Sequence, residues 1–196
     1  RALRGFAHPS SIRRLPWDVQ HANQCRAMLP TIREPDARQL VERVLDRFDD
    51  AVAPAWPLLR SQVLHGDLTI DNALVDDDGR ITGIVDFGDM SFTALMADLA
   101  SVVDSLACER PGDEMFRVAR LVLDGYQRVT PLEQGELDLL GDLWATRAAV
   151  TVAIGAWRAH EGFEERHFAE RYTSAALNTI EHILTTGWDG TRRALT

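Results

Sequence analysis

The stretch "VLHGDLTIDNALVDDDGRITGIVDF", residues 63–87, limits the folds open to this chain more than any other segment. Its apolar residues come in short, β-branched runs ("VL", "ALV", "ITGIV"), whereas the sequence on both sides has helical periodicity. Asp76, Asp77, Asp78 and Gly79 separate two of those runs and suit the turn of a β-hairpin. The acids are adjacent rather than alternating, so the segment is a solvated turn and not a calcium loop of the D-x-D-x-D-G type. Strands of a hairpin run antiparallel, so the residue before the first lies beside the residue after the second. Asn72 and Asp86 are therefore expected to face each other, with Asp67 on the loop leading in. Carboxylate and amide oxygens without a soft ligand suit Mg2+, which takes a few protein oxygens and fills its shell with phosphate and water.

Helices are expected elsewhere. Val19, Ala22, Cys25, Met28 and Leu29 predict one over 18–29, capped by Asp18 and stopped by Pro30; Trp17 anchors its start. A second should run over 35–52, from Pro35 in its first turn to a stop at Pro54. Further helices are predicted over 93–107, 113–129, 131–160 and 166–184. The expected fold is mainly α with a small β-hairpin region (α+β), a single domain over 1–196 in which helices wrap around one hairpin. It comprises a loop at 65–72, a metal-binding segment at 86–88 and a helical remainder at 93–185.

The net charge of −9 argues against nucleic acid or an anionic membrane as partner. The longest apolar run, 148–157, lies between Arg147 and Arg158 and is too short to cross a bilayer. No signal peptide opens the sequence, and Cys25 and Cys108 lack CxxC spacing, so a cytoplasmic protein with reduced thiols is expected. "RALRGFAHPSSIRRLPWD" has no initiator methionine and reads as an irregular connector, which suggests a native polypeptide extending upstream.

Order and spacing carry the chemistry further. "HGDLTIDN" fits H-x-D-L-x-x-x-N and "DFG" follows after the hairpin, the arrangement of kinase-like phosphotransferases. The series "HGDL…DN…DFGDM…DLA" resembles the C-terminal lobe of aminoglycoside phosphotransferase and choline kinase-like enzymes, which share a protein kinase-like fold. Within them it looks most like the hydroxylysine kinase-like branch. The resemblance implies ATP- or GTP-dependent phosphoryl transfer to the hydroxyl of a small molecule, an amino alcohol or hydroxylated amino acid. Asp67 would be the catalytic aspartate, and Asn72 and Asp86 would hold Mg2+. His65 would tie the catalytic loop to its surroundings, and Asp98 would brace that loop's backbone.

Such enzymes also need an N-terminal lobe whose lysine contacts the nucleotide phosphates. This chain has no lysine, all 21 basic residues being arginine, and no glycine-rich strand pair before His65. The resemblance thus implies a C-terminal lobe with its N-terminal lobe absent, supplied in cis by a longer polypeptide. In that branch a fused aminotransferase-like module is a further implied partner. An isolated fragment is expected to be inactive.

Other residues have blander readings beside their functional ones. Asp89 could pair with an acceptor amine or be a solvated loop acid, while Asp71 reads as an outward loop residue. His160, Glu161, Glu164, Glu165 and His167 look metal-like but lack H-E-x-x-H spacing, so a polar turn between helices is expected. Trp144 and Trp157 suit the core better than an aromatic wall for a cation. The competing functional classes are a non-catalytic pseudokinase domain within a larger protein and, with less support, a Mg2+-dependent phosphohydrolase. Acceptor choice among homoserine, choline and aminoglycosides stays open.

Overall fold

The structure, a computed structural model, describes residues 2–163 and 165–196, with the backbone alone at 166–169. After a 3-10 turn at Pro9–Ser11, Asp18 caps the next helical segment, accepting from the Gln20 N–H at 3.0 Å. That segment, Val19–Thr31, is a 3-10 helix and not the α-helix expected over 18–29. The cause lies in its apolar spacing. Val19, Ala22 and Cys25 recur every three residues, which lines up on one face at three residues per turn. Pro30 sits inside the segment instead of ending it. Next comes α1, Pro35–Arg47, which buries Ala37, Val41, Val44 and Leu45. It continues as a π turn, Phe48–Val52, then α2, Ala53–Ala55, and a 3-10 turn, Trp56–Leu58.

Two pairs of strands follow where one hairpin was expected. β1, Ser61–Leu64, pairs antiparallel with β4, Ser91–Ala94. β2, Ala73–Val75, pairs with β3, Ile81–Ile84, across the acidic turn. In that turn the Asp76 carboxylate accepts the N–H groups of Asp78 and Arg80, and Gly79 adopts a φ of 75°. β4 corrects the reading of 93–107 as wholly helical. Thr93 and Ala94 belong to the strand, because the β1 edge offers their backbone partners, and α3 spans Leu95–Ala107.

α4, Asp113–Gln127, and α5, Gln134–Glu161, lie within two residues of expectation at their starts and ends, apart from the later start of α5. α6 is Arg166–Thr186, and a further helix, α7, Trp188–Leu195, extends the helical part beyond 185. Glu164 and the side chain of His167 fall outside the described residues; the α5–α6 connection begins with Gly162 in the left-handed conformation, φ 76°. The centre of the fold is α5, not the hairpin. Residues 140–150 are all buried, among α1, α3, α6, α7 and the 3-10 helix Val19–Thr31. α5 is long and apolar enough to cross a membrane, but 83% of its most apolar window is buried inside the protein, as befits a core helix. The hairpin is peripheral, and Leu74, Val75, Ile81 and Ile84 on it are exposed.

The buried charges of α5 are matched from outside it. Arg47 meets Asp142 at 2.5 Å, Arg60 holds Glu136 at 2.5 Å, and Arg147 reaches Asp67 at 2.9 Å. The first two pairs fasten α1 and the approach to β1 onto the core. The third leads to the polar segments between the strands.

Candidate active site

The strand pairing brings two polar segments together. β1 ends at Leu64, opposite Ser91, where β4 begins, so the chain leaving β1 and the chain approaching β4 run side by side. At the other end β2 begins beside the end of β3, with Ala73 opposite Ile84. Residues 65–72 and 85–90 thus lie between the two sheets, joined by the Val85 N–H donating to the Asn72 carbonyl at 3.0 Å. Close approach at one point requires a glycine. A Cβ on Gly66, at φ 86°, would lie 2.2 Å from the Asp89 carbonyl oxygen.

The 65–72 loop is held from α3. The Asp98 carboxylate accepts the N–H groups of His65 at 3.2 Å and Gly66 at 2.8 Å. Burial pushes its carboxyl above the ordinary range, in spite of those two bonds. Farther along α3, the Ser105 hydroxyl accepts the Ile70 N–H at 2.9 Å. The buried His65 ring joins the two polar segments, with Nε2 2.9 Å from the Val85 carbonyl and its centre 4.8 Å from that of the Phe87 ring, the two tilted by 55°.

Within the loop, the Asn72 amide donates to the Asp67 carbonyl at 2.8 Å and to Asp67 Oδ2 at 3.2 Å. Its NH2 is thereby committed, which leaves Oδ1 as the oxygen available to a cation. Asp86 is the one non-glycine described residue at positive φ (59°), a conformation that Asp tolerates better than most. Its Oδ1 accepts the Gly88 N–H at 3.3 Å. Asp89 sits in the combined field of Asp67, Arg147, Arg13 and Asp86, and burial above all raises its carboxyl pKa. Arg13 latches the 86–90 segment from outside, donating to the Gly88 and Met90 carbonyls. Asp71 is exposed.

A hydrogen bond thus joins Asp67 to Asn72, and Asp89 lies within the field of Asp67 and Asp86. Two carboxylates and an amide oxygen fit a hard cation completed by phosphate and water, but not an all-protein metal cage. Among the described residues no group of three or more His, Cys, Asp or Glu is placed to hold a metal. Behind the site, a cavity of about 10 Å³ touches Trp17, Gly66, Asp89 and Ser101. That space is about the size of one water molecule.

A group missed from the sequence completes the picture. Arg147 on α5 donates from Nη2 to Asp67 Oδ1 at 2.9 Å, and its guanidinium lies 5.2 Å from the centre of the Trp17 ring. Its sequence signal was there: a lone charge among the apolar residues 143–150 must have a partner once the helix is buried.

The model of the APH family, described as the phosphotransferase enzyme family, matches residues 2–132, about two thirds of the sequence. This chain belongs to the phosphotransferase enzyme family. It is 27% identical to a hydroxylysine kinase from Mus musculus over 169 residues, 80% of this chain and 44% of that protein. A hydroxylysine kinase from Xenopus laevis is 27% identical over 133 residues, 63% of this chain and 35% of the relative. A homoserine kinase from Rhodopseudomonas palustris (strain BisA53) is 37% identical over 106 residues, 53% of this chain and 30% of the relative. The chain spans less than half the length of these curated relatives.

Proposed function

We propose that this chain is the catalytic half of a small-molecule kinase, working in the cytoplasm and transferring the γ-phosphoryl group of ATP or GTP to a hydroxyl of an amino-bearing acceptor. The observation that carries this reading is the Asp67–Asn72 pair, on a loop braced by Asp98 and Ser105 and laid against the Asp86–Asp89 segment. Asp67 orients the acceptor hydroxyl and receives its proton as the oxygen attacks. Asn72 Oδ1 and Asp86 are the residues that would hold Mg2+. When bound, that ion would offset charge on the transferring phosphoryl group, the main electrostatic task in such a reaction. Asp89 offers a carboxylate to the acceptor's ammonium group.

The nucleotide requires a second, covering lobe carrying the lysine that this chain lacks, and the reading assigns it to a longer polypeptide. Leu74, Ile84, Val85 and Phe87, all exposed, support that assignment, because a covering lobe would take these apolar side chains out of water.

The test is phosphoryl transfer by the native-length polypeptide to hydroxylysine, homoserine and simple amino alcohols, comparing wild type with Asp67→Asn. Loss of a general base lowers turnover by about 10²–10⁴-fold. Full activity in Asp67→Asn, or robust turnover by the 196-residue chain alone, would sink the proposal.

A further inference from the structure

A cleft of about 480 Å³ opens between the chain at 12–14 with the 3-10 helix Val19–Thr31 on one side and the approach to β1 with β4 on the other. That volume is in the range of small-molecule sites, about 300–1,000 Å³. None of Asp67, Asn72, Asp86 and Asp89 lines it. Its walls are of two kinds. Arg13, Arg14 and His21 bring cationic or protonatable groups, whereas Trp56 and Phe92 bring rings. No carboxylate lines the cleft, although acids outnumber Lys and Arg by 30 to 21 in the sequence. The neighbouring Asp18 is buried and already accepts the Thr93 hydroxyl at 3.1 Å and the Gln20 N–H at 3.0 Å. Among the described residues, the side chains of Arg14 and His21 make no hydrogen bond or ion pair. Arg13 directs Nε and Nη2 to the Met90 and Gly88 carbonyls, at 3.0 and 2.5 Å, which leaves both N–H groups of Nη1 uncommitted. Phe92 is 50% exposed, and the Trp56 indole donates no hydrogen bond among the described residues.

Two guanidinium groups on successive residues repel each other, and an anion shared between them replaces that repulsion with attraction. Their planar forks match a carboxylate, and aromatic walls favour a ring laid against them. We propose that the cleft is an effector site for a small aromatic carboxylate. The carboxylate lies on Arg13 Nη1 and Arg14, and the ring packs against Trp56 and Phe92. Arg13 couples this site to the 86–90 segment, because one guanidinium then holds the ligand together with the Gly88 and Met90 carbonyls. Occupancy thereby steadies the segment that carries Asp86 and Asp89. A ring without a charge leaves the guanidinium groups unpaired, and a charge without a ring leaves the aromatic walls in water. Neither part of the ligand suffices alone.

The experiment reads binding and local exchange, so it stands apart from which reaction Asp67 serves. Isothermal titration calorimetry on the native-length polypeptide compares three probes. Indole-3-acetate carries ring and charge, indole-3-acetamide keeps the ring without the charge, and acetate keeps the charge without the ring. Indole-3-acetate should bind about tenfold more tightly than either, the lower end of the range for hydrogen bonds to a charged group. Arg14→Gln should remove most of the advantage over the amide while the weak binding of the amide stays the same. Phe92→Ala should weaken both indoles. Arg14 and Phe92 are exposed, and circular dichroism checks that both variants fold. Hydrogen exchange reads the coupling at the Gly88 and Met90 amides, which donate to Asp86 Oδ1 and the Phe87 carbonyl. Indole-3-acetate should slow their exchange in wild type and leave it unchanged in Arg13→Gln. Equal affinity for the acid and the amide, binding of none of the three, or an unaltered preference in Arg14→Gln overturns the site. Preferential binding of indole-3-acetate with no slower exchange overturns its role as an effector.

Discussion

Asp104 shows how far a single buried group can shift the behaviour of this protein. It lies on α3, buried, where the Trp144 indole donates to its Oδ1 at 3.1 Å. Burial pushes its carboxyl up to about 6, against the opposing effects of the Arg147 charge and the Trp144 hydrogen bond. An unfolded chain ionises the same carboxyl near its ordinary value, about 3.9. Between those two values the folded protein holds more protons than the unfolded chain. The stability that this group contributes is therefore fully present below pH 4 and is lost as pH rises through 6. Asp104→Asn removes the titration and keeps an acceptor for Trp144. Relative to wild type the variant should gain stability between pH 4 and pH 7, by on the order of 2–3 kcal/mol. Urea unfolding of both proteins across that range measures it. A difference that does not vary with pH would show that Asp104 ionises normally in the fold.

At the scale of elements, the site depends on how firmly the strands are fastened to the helices. Arg60, just before β1, forms a two-pronged pair with the buried Glu136 in the first turn of α5, and its carbonyl accepts the Leu95 N–H at the start of α3. Three elements therefore meet at one residue. Burial acts to raise the Glu136 carboxyl, but the Arg60 hydrogen bond and the Glu133 N–H outweigh it, and the result lies below the ordinary range. Glu136 also closes the capping box of α5 through that Glu133 N–H. Arg60→Ala should cost about 2 kcal/mol, less than a fully buried pair because Arg60 is itself partly exposed. The melting temperature should fall, and amide exchange should quicken in the first turn of α5. Unchanged exchange there would mean that the cap holds without Arg60.

For the whole molecule, the core is one cluster that runs from Val19 to Leu195 around α5, so the chain should unfold in a single transition. The β2–β3 hairpin stands outside that cluster. Ile81, 70% exposed, should tolerate Ile81→Thr with a change of less than about 0.5 kcal/mol in the 196-residue chain. In the native-length polypeptide the same change should cost more, because the covering lobe proposed above would bury that side chain. Equal effects in both, read from chemical denaturation, would show that the hairpin stays bare.

Local order along the chain was enough to read much of this protein. Helical periodicity marks the helices after residue 93, and the acidic turn with its flanking β-branched runs marks the β2–β3 hairpin, since both depend on near neighbours. Motif spacing names Asp67, Asn72 and Asp86 as candidates in the same way, and their roles belong to the proposal. Tertiary structure alone decided the rest. β4 exists because the edge of β1 is there to pair with it. The partner of Asp67 lies 80 residues away on α5, and no local pattern records a contact between groups so distant. Periodicity shows that a helix has a buried face. Only packing shows which charge on that face meets which carboxylate.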